Sequence, residues 1–97
     1  MSTARGTHPV DAHVGGKLKA RRQALGMSQT AVGEAVGLTF QQVQKYESGF
    51  NRISASKLYE FATVLGLEPG DFFIGMPRGV LKGLPAGQAR RGRRIHQ

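Results

Sequence analysis

Apolar positions recur along this chain at helical spacing in four blocks, and a glycine follows each block. Val14, Leu18 and Leu25 form the first, ahead of Gly26, and Val32 with Val36 form the second, ahead of Gly37. Val43 and Tyr46 make the third, before Gly49. Leu58, Phe61, Ala62 and Leu65 make the fourth, an i, i+3, i+4, i+7 stripe closed by Gly66 and the strongest helix signal in the chain. Asp11, Ser28 and Ser54 stand where a side-chain oxygen can cap a first turn, and Thr39 with Gln42 has the spacing of a capping box. Pro69 suits the first position of a short fifth helix that offers Phe72 and Phe73 to the core. No stretch reads as a convincing strand, so the expected fold class is all-α, with five helices.

These limits divide the 97 residues into a disordered lead-in over 1–10, one helical domain over 11–76 and a tail over 77–97 that is expected to be flexible. The tail holds four Gly and two Pro without a sustained period. One small shared core is all that about 60–65 foldable residues can build. There is no cysteine, and His8, His13 and His96 are scattered, so neither a metal site nor a cofactor is expected. No segment approaches the roughly 18 apolar residues of a membrane span, and the N-terminus lacks a signal pattern. The expected setting is the cytoplasm.

Between Ser28 and Gly49 the sequence SQTAVGEAVGLTFQQVQKYESG places two short helices around a Gly-containing turn. The second has an inward side, Val43 and Tyr46, and a polar side, Gln41, Gln44 and Lys45, an arrangement that carries side chains into a DNA major groove. From about Val14 to Phe73 the chain resembles the XRE family, helix-turn-helix regulators related to phage Cro and lambda-type repressors. The family's pattern appears here as RRQALG, SQ, the pair Val32–Gly33, Gly37, the helix ending in Tyr46 and Glu47, Gly49 and KLYEFATVLG. The pair departs from the usual Leu-Ala. A Gly inside a helix costs roughly 1 kcal/mol relative to Ala, and at Gly33 it allows a closer helix approach.

Docking of this kind assigns roles by position in the helix. Phe40, Gln41, Gln44 and Lys45 are the candidates for base edges: Gln pairs with adenine, Lys donates to guanine and Phe presses on a thymine methyl. Gln29, Thr39 and Gln42, at helix starts, are candidates for phosphates. Thr39 and Gln42 have a second reading as a capping box alone, and Phe40 as a core or dimer contact. The resemblance adds Asn51 and Arg52 in the loop and the Tyr46 hydroxyl as phosphate contacts. It also implies a structural ion pair between Arg22 and Glu47, and it places part of the helix bearing Lys17, Lys19 and Arg21 near the DNA backbone, although these three read equally as a solvated face.

The net charge of +8 belongs mainly to the tail. Residues 1–76 hold eight Lys or Arg against six acids, whereas Arg78, Lys82, Arg90, Arg91, Arg93 and Arg94 lie beyond them with no acid. RRGRR near Arg90 reads either as a basic arm attracted to phosphates or as a solubilising end. Catalysis is not expected. Gly16 and Lys17 match the end of a phosphate loop, but Asp11 replaces its first Gly and Leu18 its Ser or Thr. Double-stranded DNA is therefore the expected partner of a homodimer, which by resemblance pairs through the fifth helix and its neighbours, with no small-molecule ligand evident. The chain then acts as a sequence-specific regulator, a repressor in the simplest case. The alternative is a protein-interaction adaptor on the same fold, such as an antitoxin or a coactivator-like bridge.

Overall fold

Ser28, Thr39 and Ser54 each accept a hydrogen bond from the third backbone N–H of the helix that follows, at 2.9, 3.2 and 3.1 Å. These bonds satisfy donors that a helix start leaves without partners. The structure is a computed structural model that describes residues 7–77 and 79–80. Four α-helices result: α1 (Pro9–Ala24), α2 (Gln29–Val36), α3 (Phe40–Glu47) and α4 (Ala55–Leu65). Gly37 and Gly66 close α2 and α4 in the left-handed conformation, with φ of 75° and 70°. Lys57 Nζ donates to the Val36 carbonyl at 2.9 Å and Arg21 Nε to the Leu65 carbonyl at 2.8 Å. Two cations thus cover the carbonyl ends of α2 and α4.

The all-helical class holds among the described residues, but the expected count of five does not. Pro69–Phe73 forms a single 3-10 turn. Successive side chains on a 3-10 helix stand about 120° apart, so Phe72 is fully buried while Phe73 stays 45% exposed. The first helix also begins earlier than Asp11. Pro9, whose fixed φ and missing N–H suit a first helical position, opens it, and His8 Nδ1 caps it by accepting from Val10 N at 3.0 Å. Asp11 lies within the first turn. Leu25, expected inside, is exposed because it sits at the C-cap beyond the last full turn, and partly buried Met27 packs on the core near this end.

Val14 and Leu18 from α1, Val32 and Val36 from α2, Phe61, Ala62 and Leu65 from α4, and Phe72 form one core cluster. Val43 anchors α3, and Tyr46 meets Phe61 edge to face with centroids 5.9 Å apart. Helix α3 comes closest to α1 through glycines. A Cβ on Gly15 would lie 2.6 Å from the Glu47 carbonyl oxygen, and one on Gly49 (φ 82°) 2.8 Å from Ala12 Cα. Backbone therefore meets backbone where α1 crosses the end of α3. Gly33 does the same at the α2–α3 turn, where a Cβ would stand 2.5 Å from the Leu38 carbonyl oxygen.

The expectations for residues 1–6, Arg78 and 81–97, including the basic run near Arg90, lie outside the described residues. No helix among the described residues is long and apolar enough to cross a membrane, and they hold no group of three metal-ligating side chains.

Candidate nucleic-acid interface

Thr39 and Gln42 start α3 with a closed box. Thr39 N donates to Gln42 Oε1 at 2.9 Å, and the Thr39 hydroxyl donates to the same oxygen at 3.3 Å while accepting from Gln42 N. The Thr39 hydroxyl hydrogen is thereby engaged, whereas the Gln42 side-chain NH2 makes no hydrogen bond among the described residues and faces solvent. Phe40, one residue on, is 44% exposed. Gln41, Gln44 and Lys45 follow on the outer side of α3, all exposed, and no hydrogen bond to another described residue involves their side chains. Three polar groups with donors to offer thus share a face with one ring.

The opposite side of α3 is fixed by charge. Arg22 Nε donates to Glu47 Oε2 at 2.5 Å and Nη2 to Oε1 at 3.1 Å, while Nη1 donates to the Met27 carbonyl at 2.9 Å. The two side chains are only 10% and 4% exposed. Gln29 Nε2 adds a third bond to Glu47 at 3.0 Å. One carboxylate therefore ties α1, the start of α2 and the end of α3 together. It is the only acid on α3, and its burial beside Arg22 leaves the exposed face without a negative charge.

Gln29 stands at the first turn of α2 as expected for a phosphate contact, but one of its two amide hydrogens holds Glu47. The other hydrogen and the unpaired N–H groups of that turn remain. Tyr46 is half-buried, its ring against Phe61. Asn51 is also half-buried, its backbone N–H donating to the Lys45 carbonyl at 3.1 Å. The Arg52 side chain is 71% exposed and donates from Nε to Asp11 Oδ2 at 2.9 Å, leaving its terminal nitrogens toward solvent. An exposed pair of this kind contributes little to stability.

Lys17 and Arg21 are not part of this face. Arg21 turns to Leu65, and Lys17 lines a shallow depression with Ala20, Leu67, Asp71 and Ile74 on the side of α1 that meets the 3-10 turn. On α1, Gly15 and Arg22 meet the end of α3, and Ala12 meets Gly49 just beyond it. Phe50, to which the sequence reading gives no role, is 61% exposed beside α3, with Lys45 Nζ 5.8 Å from its ring centroid. An aromatic residue just past the glycine that ends α3 was the available signal. A depression between Val10, Asp11, Val14, Ile53, Leu58 and Phe73 measures about 80 Å³, and the shallower one beside Lys17 about 340 Å³.

Residues 18–72 match the family model described as Helix-turn-helix. Over 71 residues the chain is 52% identical to y4wC, an uncharacterized HTH-type transcriptional regulator of Sinorhizobium fredii, a match that covers 73% of this chain and 50% of that protein. It is 47% identical over 78 residues to an uncharacterized transcriptional regulator in the ATPase CF(0) region of Rhodospirillum rubrum, covering 80% of this chain and 72% of that one. The chain thus spans about half the length of the first of these relatives. Among solved structures it is similar to the restriction-modification controller protein C.AhdI from Aeromonas hydrophila, with a TM-score of 0.61 and 31% identity over 64% of this chain and 94% of that one.

Proposed function

The chain belongs to the XRE-type helix-turn-helix family, and from that premise we propose that it is a transcriptional regulator that reads DNA sequence through α3 in the major groove. The observation that carries this reading is the outer face of α3. Gln41, Gln44 and Lys45 are exposed and their side chains make no hydrogen bond among the described residues, while Glu47 is buried and neutralised by Arg22. Polar side chains on a rigid helix with no negative charge beside them suit the acceptor-rich edges of adenine and guanine. Phe40, at the start of the same face, takes thymine methyls. Gln29, Thr39, Gln42, Tyr46, Asn51 and Arg52 hold phosphates around the helix, Thr39 by turning its hydroxyl out of the box.

One α3 spans too few base pairs to be selective, so two copies act on a two-fold site whose half-sites lie about 10 base pairs apart or a multiple of that. Occlusion of a promoter by such a dimer is the simplest outcome, which makes the protein a repressor. Bacterial relatives named as transcriptional regulators support action in a bacterial cytoplasm.

Selection from a random duplex pool by the full chain at near-physiological salt tests this. A single enriched motif with two-fold symmetry is the expected result; retention without enrichment, or none, overturns sequence reading. On the enriched site, Gln41→Ala and Lys45→Ala are each expected to cost about 1–3 kcal/mol and to relax preference at particular base pairs, while Arg52→Ala weakens all duplexes alike. Equal losses on cognate and random DNA for all three would contradict the division of roles.

A further inference from the structure

We infer that Phe50 is a specificity-determining residue that acts by positioning the Lys45 ammonium for its base contact. The inference rests on the reading of α3 as the base-reading helix. Lys45 is exposed, carries a long flexible side chain and makes no side-chain hydrogen bond among the described residues. Left to itself, its head group would sample many rotamers and lose that freedom on meeting a guanine. The Phe50 ring removes part of this freedom beforehand, since the ammonium stands 5.8 Å from its centroid, within the range of cation–π attraction.

The ring is held there by backbone that serves the same lysine. After Ser48, Gly49 turns the chain with a φ of 82° and is seated against Ala12 of α1. Phe50 N then donates to Ser48 Oγ at 3.2 Å, Ser48 Oγ donates to the Lys45 carbonyl at 3.1 Å, and Asn51 N donates to that carbonyl at 3.1 Å. The loop therefore folds back over Lys45 and fastens its carbonyl from two sides, which brings side chains five residues apart together. Phe50 remains 61% exposed. A ring so open contributes little to the core, so its placement beside Lys45 is what distinguishes it.

The test uses the full chain and the motif enriched from the random pool, with each base pair varied in turn. Phe50→Leu keeps apolar bulk without a π face. It is expected to relax preference about two- to fivefold at the base pairs that Lys45→Met relaxes, and to add nothing to Lys45→Met. Phe50→Tyr keeps the parent preference. In the DNA-free chain, ring-current shifts of the Lys45 ε-methylene protons are expected, retained in Phe50→Tyr and absent in Phe50→Leu. If Lys45→Met relaxes particular base pairs while Phe50→Leu changes none, or weakens all duplexes alike, or if the ring-current shift is missing, the positioning role is overturned and base reading stands. If Lys45→Met relaxes nothing, base reading by Lys45 fails and takes this inference with it.

Discussion

Glu47→Ala is expected to lower the unfolding free energy by about 3–5 kcal/mol, the loss typical of removing one partner from a buried ion pair. The loss is large because three donors converge on this carboxylate. Arg22 gives two bonds and Gln29 one, and the guanidinium is 10% exposed. Without Glu47 the buried cation keeps the Met27 carbonyl at 2.9 Å and has no counter-charge. For a domain whose whole stability is on the order of 5–15 kcal/mol, that is a substantial fraction. Urea denaturation of the full chain measures it. The double variant Arg22→Met with Glu47→Leu is expected to recover part of the loss, since it leaves no buried charge unpaired, although the Met27 carbonyl and the Gln29 amide lose their partners. A single-variant loss under about 1 kcal/mol would place the pair in water, at the level of an exposed salt bridge. DNA binding should fall with Glu47→Ala even below the melting transition, because the same carboxylate sets the angle of α3 against α1.

That ion pair also marks the limit of what sequence discloses. Local chemistry was readable: Ser28, Ser54 and the Thr39–Gln42 box announce helix starts because each partner lies three residues away, and Gly37 and Gly66 announce ends because left-handed backbone favours glycine. The pairing of Arg22 with Glu47, 25 residues apart, came from family resemblance and not from any periodicity. The bond from Gln29 to Glu47 was hidden for the same reason. Its place at a helix start suggested a phosphate, and only the fold shows which neighbour holds its amide. At the first helix two signals competed, and the preference for an Asp cap obscured Pro9, the residue that opens the helix. Phe72 and Phe73 were indistinguishable by composition. The 3-10 geometry divides them, turning Phe72 inward where the segment packs on α1 and α4.

Gly15 and Gly16 provide the sharper test, because two adjacent helix-interior glycines should respond to the same substitution with opposite signs. By sequence they are equivalent, each about 1 kcal/mol worse than Ala in a helix interior. The fold separates them. A Cβ on Gly16 meets nothing within 4 Å, whereas one on Gly15 would stand 2.6 Å from the Glu47 carbonyl oxygen and 2.9 Å from its carbon. Gly16→Ala is therefore expected to stabilise the chain by up to about 1 kcal/mol. Gly15→Ala is expected to destabilise it by about 3 kcal/mol, near the upper end of overpacking costs, because the obstructing atoms are backbone and no rotamer change clears them. Chemical denaturation of both variants reads the two signs directly. Relief of the clash requires α1 and the end of α3 to separate, which displaces α3 from the angle that Arg22 and Glu47 set. Folded Gly15→Ala should consequently bind the selected duplex more weakly than the parent, while Gly16→Ala binds it equally well. A stabilising effect from both substitutions would mean that the crossing has room for a methyl group, and the direct backbone seating of α3 on α1 would be wrong.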